Sequence, residues 1–518
     1  MERIRPCLFT FLLWLIGCSV LPAAIRLPEV LTDHMVLQRQ QSVPIWGWAE
    51  PGERVSVSFR GQLLETTADE AGHWLVRLAP MPASAEQAVM TVNGENTIRL
   101  TDILVGEVWL CTGQSNMQWR LLESDGGQEA ITAADYPEVR LFNVSREVAF
   151  KRKTGKLAVW ERCSPATVPE FSGVGYFFGL ELYRRLGIPI GLINSSYGGS
   201  QAEAWTPHEY LDASDELRPC IEREAIWEAE RPRVRADFER AKAEWESAAA
   251  TARERGERVP REPRVPDALR DYRIAGSIYY NMIEPLIPFA IRGTVWYQGE
   301  SNEERAEQYE LLLTTMIRSW RERWGQGDFP FGIVQLPNFR AEAEQPQDLA
   351  WSHLRDRQRQ VARKVEGTGL IVTIDIGEAD DIHPTNKLDV GLRLSRWALR
   401  EVYGYELLAG GPVFERAVYR KDRVILYFTE VGNGLATTDG GPLQEFAIAG
   451  ADQQWVWAEA TIRGRRKVIV RAEAVARPQA VRYAFNNNPR RPNLTNETGL
   501  PASPFRTDEW PGPTHGKR

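Results

Sequence analysis

The sequence predicts an α/β fold: a doubly wound parallel sheet with a helical insertion, flanked by a β-rich module at each end of the chain. In residues 102–404, short apolar runs typical of buried strands alternate with segments of helical periodicity, a pattern that favours parallel strands covered by helices. In residues 25–101 and 405–518, short alternating runs separated by turn formers indicate antiparallel strands. The length of 518 residues is also too great for one ordinary core and supports several domains.

The N-terminal module, residues 25–101, contains the alternating runs VPIWGWA, RVSVSFR, HWLVRLA and AVMTVNG. Turn signals such as the EPG of residues 50–52 separate them, so we expect an antiparallel sandwich. His34 and His73 have no partner at metal-ligand spacing, and we expect both to be structural.

The central domain, residues 102–404, supplies the parallel sheet. Strands are predicted at residues 103–111, 188–194, 292–297, 331–336 and 370–375, and helices at 177–186, 308–324, 352–365 and 387–403. The loops after these strands would gather at one edge of the sheet, where open α/β folds bind their ligands.

A helical insertion is predicted at residues 208–273, where the composition changes to Glu, Arg and Ala. Charges of both signs at helical spacing indicate a solvated helical face. A lid over the site or a dimer contact is the alternative, and the sequence does not decide between them. From residue 405 the short alternating runs return and predict a second β module, with the tail SPFRTDEW lying back against the core.

Residues 1–24 have the pattern of an export signal. Arg3 and Arg5 precede an apolar run that is too short to span a bilayer comfortably, as in a signal-peptide core. Cleavage after Ala24 and lipoprotein processing at Cys18 fit equally well. We therefore expect an exported protein that is periplasmic, extracellular or an outer-membrane lipoprotein. No other segment is long and apolar enough to cross a membrane.

Charge and cysteine content exclude several classes of protein. The net charge of -7, without a basic stripe, argues against nucleic acid as a partner. The mature cysteines Cys111, Cys163 and Cys220 are too few to organise a fold of this size by disulfides. Neither an HExxH motif nor clustered His and Asp ligands occur, so we expect neither a metal nor another cofactor.

A serine follows the first predicted core strand, in the stretch GEVWLCTGQSNMQW of residues 106–119. Its position after the strand makes Ser115 the first candidate nucleophile. Three other blocks also follow apolar runs: NSSYGGSQAEAW at 194–205, WYQGESN at 296–302 and DIGEADDIHP at 375–384.

Together these four blocks resemble those of the SGNH hydrolases, and in detail those of the sialate O-acetylesterase family. The resemblance extends from LTDHMVLQRQQSVPIWGWAEPG near the start to NLTNETGLPASPFRTDEW near the end. It implies a serine esterase that removes O-acetyl groups from carbohydrate. Another glycan acetylesterase, such as an acetylxylan esterase, would use the same machinery. A non-catalytic carbohydrate-binding protein is the rival from a different class.

Ester hydrolysis by a serine needs a base that accepts the hydroxyl proton. His383 is the candidate, because it alone of the six histidines follows a core strand and stands beside acids. A carboxylate must orient that histidine. Asp380 comes first by its D-x-x-H spacing in the superfamily, then Glu300, then Asp381.

An oxyanion hole is expected from three sources. The backbone N–H groups of Ser115 and Gly199 would donate two hydrogen bonds to the tetrahedral intermediate. The resemblance implies an amide side chain as the third donor, Gln298 with Asn302 as the alternative. Four further residues lie near the motif blocks, where contact with a sugar and ordinary packing are equally expected: Asn116, Trp119, Gln335 and Asn281.

Overall fold

The computed structural model describes residues 24–146 and 158–518. The predicted export segment, with Cys18, lies outside the described residues except for Ala24 at its end. Among the helices of the described residues, none combines the length and the apolar character needed to cross a bilayer.

The N-terminal module is made of strands joined by tight turns. Its strands are β1 Val36–Gln38, β2 Val43–Trp48, β3 Arg54–Phe59, β4 Gln62–Thr67, β5 His73–Leu78 and β6 Ser84–Asn93, followed by the long β7 Thr97–Gly113. β2 pairs antiparallel with β5, and β3 pairs antiparallel with both β4 and β6. Alternate residues of β3 and β5 are buried, as the period of two in their sequences requires.

Strand β7 connects this module to the central sheet. Its first half pairs antiparallel with β6, and its second half lies between two parallel neighbours of the central sheet. Asp102 stands where the two halves meet, with a φ of 57°, and it is buried. Arg140, Arg162 and His34 all contact its carboxylate, so His34 is part of a buried ion cluster.

The central domain is a parallel sheet with helices on both faces. Its further strands are β8 Tyr136–Asn143, β9 Trp160–Cys163, β10 Ile190–Ser196, β11 Gly293–Tyr297, β12 Phe331–Val334 and β13 Thr368–Ile371, in the order β13-β12-β11-β7-β10-β8-β9. Only β9 at the edge is antiparallel to its neighbour in this order. The helices are α1 Ser115–Gln118, α2 Gly127–Thr132, α3 Gly173–Leu186, α4 His208–Asp212, α5 Pro219–Glu254, α6 Tyr309–Trp324, α7 Ala350–Lys364 and α8 Lys387–Glu401. Because α3 and α8 pack into one apolar cluster and α6 and α7 into another, the predicted doubly wound fold is confirmed.

Local sequence explains the ends of α3. The Ser172 hydroxyl accepts a hydrogen bond from Gly175 N–H at 3.0 Å and caps the first turn. Gly187 ends the helix with a φ of 62°, a left-handed conformation that favours glycine. Helix α3 is thereby fixed between Trp119 O, which accepts from Gly173 N–H, and the start of β10.

The insertion is dominated by α5, a single helix of 36 residues that continues through Pro232. Among its residues only Cys220, Ala249 and Ala252 are buried, so most of its charged surface faces solvent. Arg231 donates to Asp271 at 2.7 Å and attaches α5 to the 3₁₀ turn Asp271–Arg273.

The C-terminal module consists of short antiparallel strands. They are β14 Val413–Tyr419, β15 Val424–Thr429, β16 Ala436–Thr437, β17 Phe446–Ala449, β18 Val456–Trp457, β19 Glu459–Arg463, β20 Lys467–Arg471, β21 Ala480–Tyr483, β22 Leu494–Thr495 and β23 Phe505–Arg506. The tail lies against α7, where Arg506 Nη1 contacts His353 Nδ1 at 3.0 Å.

Candidate active site

Ser115 is the first residue of α1, directly beyond the carboxyl end of β7. The chain turns at Gly113, whose φ is 134° and where a side-chain carbon would lie 2.2 Å from Tyr297 O. Only glycine fits this approach. Since β7 lies at the centre of the sheet, Ser115 is placed at the edge where open α/β folds bind ligands.

The structure brings His383 to Ser115 from 268 positions along the chain. The distance from His383 Nε2 to Ser115 Oγ is 2.8 Å. Burial lowers the pKa of His383 below its ordinary 6.5, against the nearby Asp381, which raises it. At neutral pH the imidazole is therefore neutral, and Nε2 can accept the serine proton.

Trp119 packs against a face of the His383 ring. Its ring stacks on the imidazole with centroids 5.4 Å apart and planes inclined by 20°. The indole N–H donates to Glu123 O at 3.0 Å, which fixes the ring. Trp119 is thus part of the site, in contact with His383.

The three candidate carboxylates differ in their contacts with His383, and the one beside the imidazole is not the one that sequence spacing placed first. Asp381 Oδ1 lies 3.6 Å from His383 Nδ1 and accepts the His383 backbone N–H at 2.8 Å, with the side chain half exposed. Asp380, ranked first by spacing, is exposed and has no hydrogen bond or ion pair within residues 24–146 and 158–518. Glu300 is half-buried and accepts a hydrogen bond from Asn116 Nδ2 at 2.7 Å rather than one from His383. The D-x-x-H spacing therefore does not select the carboxylate nearest to the imidazole.

Two backbone N–H groups are available near the serine hydroxyl. Ser115 N–H begins α1 and has no acceptor within that helix. In the loop after β10, a side-chain carbon at Gly198 would lie 3.4 Å from Ser115 Cβ, so this loop packs on Ser115. The next residue, Gly199, has a φ of 74°, and its N–H has no acceptor in the described part of the chain.

The side-chain amides that were expected to donate to the oxyanion, those of Gln298 and Asn302, donate to other atoms of the protein. Gln298 Nε2 donates to Ser200 O at 3.1 Å and to Asn302 Oδ1 at 2.8 Å, which uses both of its hydrogens. Asn302 Nδ2 donates to Glu203 Oε2 at 2.9 Å, and both amides are buried. Gln298 therefore has no amide hydrogen left for an oxyanion, whereas Asn302 Nδ2 keeps one, so donation from Asn302 stays a prediction. Through these bonds the pair supports the loop beneath Gly199.

Two of the four proposed sugar contacts lie away from the serine. Gln335 is buried and donates to Arg355 O and Ser503 Oγ, both at 3.1 Å, because the C-terminal tail packs on α7 there. Asn281 donates to Ser277 O at 2.7 Å, within its own helical segment. In the described chain neither contacts Ser115 or His383. Asn116 adjoins Ser115, but its side chain is buried beneath the site rather than turned to a ligand.

Sequence reasoning missed three residues of the site. Gln118 Oε1 accepts Gly198 N–H at 2.7 Å and ties the glycine loop to α1, as its position three residues after Ser115 could have suggested. The Tyr272 hydroxyl lies 3.4 Å from the position of a side-chain carbon at Gly199. Lys387 is buried behind His383 at the start of α8. A group of three or more side chains suited to holding a metal ion is absent from the described residues.

A neutral histidine hydrogen-bonded to a serine at the carboxyl edge of a doubly wound sheet is the arrangement of an α/β serine hydrolase. Residues 267–399 match a family model described as a carbohydrate esterase, sialic acid-specific acetylesterase. The sialate O-acetylesterase of Mus musculus is 30% identical over 427 residues, 75% of each chain, so this chain belongs to the sialate O-acetylesterase family and is a carboxylic ester hydrolase.

Two further comparisons cover nearly the whole chain. The sialate O-acetylesterase of Homo sapiens is 28% identical over 538 residues, 94% of each chain. The crystal structure of a carbohydrate acetylesterase from Xanthomonas citri is 37% identical and superposes with a TM-score of 0.78, covering 94% of this chain and 100% of that one. The similarity therefore includes both β modules as well as the central domain.

Proposed function

We propose that this protein is an exported serine esterase that removes O-acetyl groups from carbohydrate, with O-acetylated sialic acid as its substrate class. The observation that carries the proposal is the 2.8 Å contact between Ser115 Oγ and His383 Nε2. The sialate O-acetylesterases and the carbohydrate acetylesterase to which the chain is similar support the choice of substrate.

In the first half of the reaction, Ser115 Oγ attacks the acetyl carbonyl carbon while His383 Nε2 takes the hydroxyl proton. The negative charge that forms on the carbonyl oxygen is stabilised by the N–H groups of Ser115 and Gly199. When the intermediate collapses, the sugar oxygen leaves with the proton from His383, and the acetyl group stays on Ser115.

In the second half, water attacks the acetyl-serine and gives its proton to His383. Collapse of the second intermediate releases acetate and returns the proton to Ser115 Oγ. Asp381 is the acid nearest to Nδ1, at 3.6 Å, and its charge contributes to stabilising the imidazolium that forms in both halves.

The substrate is tested by measuring acetate release from O-acetylated sialic acid and from acetylated xylan under identical conditions. We expect preference for the sialic acid ester, and loss of activity on the order of 10⁴-fold or more in Ser115→Ala. Equal or greater release from xylan would assign the protein to another class of glycan acetylesterase. Unchanged turnover in Ser115→Ala would overturn the mechanism.

Export is proposed from the pattern of residues 1–24. We expect the mature protein to begin either after Ala24 or at a lipid-modified Cys18. Mass spectrometry of the purified mature N-terminus distinguishes the two routes, and an intact Met1 in protein recovered from its native host would contradict both.

A further inference from the structure

A buried hydrogen-bond network joins the serine loop to the histidine loop. Asn116 follows Ser115 in α1, and its Nδ2 donates to Ile382 O at 3.0 Å and to Glu300 Oε1 at 2.7 Å. Its Oδ1 accepts from Lys387 Nζ at 2.7 Å. The residue next to the nucleophile thus holds the carbonyl that precedes His383.

Lys387 holds the other side of the same loop. Its Nζ donates to Pro384 O at 2.5 Å, so the carbonyls of the residues before and after His383 are both bound by the network. The ammonium also lies over the rings of Trp119 and Tyr297, at 5.4 and 5.9 Å from their centroids. A lysine held by two carbonyl-type acceptors and two aromatic faces is fixed in place.

The charges around Lys387 come from several elements. Burial lowers its pKa to about 7, and nearby carboxylates oppose that shift. Burial raises the pKa of Glu300, the other end of the network. The charged groups that face the ammonium are Glu300 after β11, Glu378, Asp381 and His383 in the loop before α8, and Asp125 before α2.

We propose that Lys387 is a positioning residue for the esterase reaction: through Pro384 O and Asn116 it sets the His383 imidazole at hydrogen-bond distance from Ser115. The inference rests on the proposed catalytic roles of those two residues. Lys387 touches neither of the reacting atoms, so it acts on turnover rather than on substrate binding.

The network should make kcat/KM fall at alkaline pH, which gives the pH profile an alkaline limb. Charge-assisted hydrogen bonds are about twice as strong as neutral ones, so the hold on Pro384 O weakens when the ammonium loses its proton. This support is present below the pKa of Lys387 and is lost as pH rises through about 7. The acid limit is set separately by protonation of His383, below 6.5.

The first test is Lys387→Met, which keeps the length of the side chain and removes its donors. A displacement of about 1 Å at a reacting group costs roughly 100-fold in rate, so we expect kcat to fall by about that factor with KM nearly unchanged. The alkaline limb of the kcat/KM profile should disappear. Its acid limb should move to higher pH, because the Lys387 charge lowers the pKa of His383.

Lys364→Met is the matched control, since Lys364 is exposed on α7 and pairs with Glu310 at the surface. It should leave kcat and both limbs unchanged. Lys387→Met with wild-type kcat and an intact alkaline limb would overturn the inference. Wild-type protein without esterase activity, or an active Ser115→Ala, would instead overturn the proposed function, so the two failures are distinguishable.

A second variant tests the role of Lys387 even if Lys387→Met does not fold. Glu300→Gln keeps an acceptor for Asn116 Nδ2 and removes a negative charge that favours the Lys387 ammonium. The alkaline limb should therefore move to lower pH, while the acid limb stays close to that of the wild type. An alkaline limb that does not move would contradict the role of Lys387.

Discussion

His383 is constrained from three directions. Ser115 Oγ is hydrogen-bonded to Nε2, and Trp119 stacks on one face of the ring. The Asp381 carboxylate lies 3.6 Å from Nδ1. The last of these contacts is longer than a hydrogen bond, and the carboxylate is half exposed. Orientation of the imidazole therefore depends mainly on packing and on the backbone bonds to its flanking carbonyls.

This geometry predicts a small effect for Asp381→Asn. An exposed ion pair contributes about 0.2–1 kcal/mol, which corresponds to a fall in kcat/KM of no more than roughly fivefold. Because the carboxylate raises the pKa of His383, its removal should lower that pKa further. The acid limb of the pH profile should therefore move to lower pH, as a titration of kcat/KM would show.

Asp380→Asn provides the comparison, because Asp380 makes no hydrogen bond or ion pair within the described ranges. We expect wild-type kcat/KM for this variant. A loss of several hundredfold in Asp380→Asn with full activity in Asp381→Asn would restore the order suggested by D-x-x-H spacing and contradict the observed geometry.

Strand β7 is the element on which the site depends. Its second half carries Ser115 at its end, and its first half belongs to the N-terminal module. At the junction, Arg140 donates to Asp102 Oδ2 at 2.8 Å and to Oδ1 at 3.1 Å, with both side chains almost completely buried. The ion cluster thus connects the β module to the strand that ends at the turn to Ser115.

The cluster predicts a large loss of stability in Asp102→Asn. Asparagine tolerates the positive φ of this position, so the change tests the charge rather than the backbone. Removal of one partner leaves Arg140 buried and unpaired, which typically costs about 3–5 kcal/mol of unfolding free energy. Urea denaturation at neutral pH measures the loss.

The same carboxylate makes stability depend on pH. Its hydrogen bonds to Arg140, His34 and Arg162 lower the pKa of Asp102 to about 2 against the opposing effect of burial. The contribution is present above the ordinary pKa near 4 and is lost as pH falls toward 2. Asp102→Asn should lack this dependence, whereas Glu65→Gln, on the exposed side of β4, should unfold like the wild type. Equal stability of all three proteins would contradict a role for the cluster.

The insertion also reaches the site. Helix α5 holds Asp271 through Arg231, and the adjacent Tyr272 packs on Tyr197 with ring centroids 4.9 Å apart. Tyr272 also lies over Gly199. A predominantly solvated helix is therefore connected to the loop that contains Gly199.

Much of the molecule could be predicted from its sequence because local patterns determine it. The alternation of apolar runs and helical segments predicted the sheet, and the position of Ser115 after a buried run predicted its place at the sheet edge. Contacts that depend on distant segments were not predictable. Gln335 is turned inward by Ser503 of the tail, and Lys387 is buried because α8 packs behind the histidine loop.

The hydrogen bonds of the Gln298 and Asn302 side-chain amides were also not predictable from the sequence. Side-chain amides can donate in several directions, and sequence spacing does not say which acceptor is nearest. Gln298 and Asn302 are close to the site, yet each donates into the interior. Motif spacing therefore predicted which loops come together at the sheet edge, but not which acceptors their side-chain amides bind.

The central claim is that His383 activates Ser115. Its most direct test is labelling of the mature protein with a serine-directed phosphonate, followed by peptide mass spectrometry. We predict one adduct on Ser115 in the wild type, much slower labelling in His383→Ala and none at that position in Ser115→Ala. A wild-type Ser115 that stays unmodified while a control serine esterase reacts fully would contradict the account.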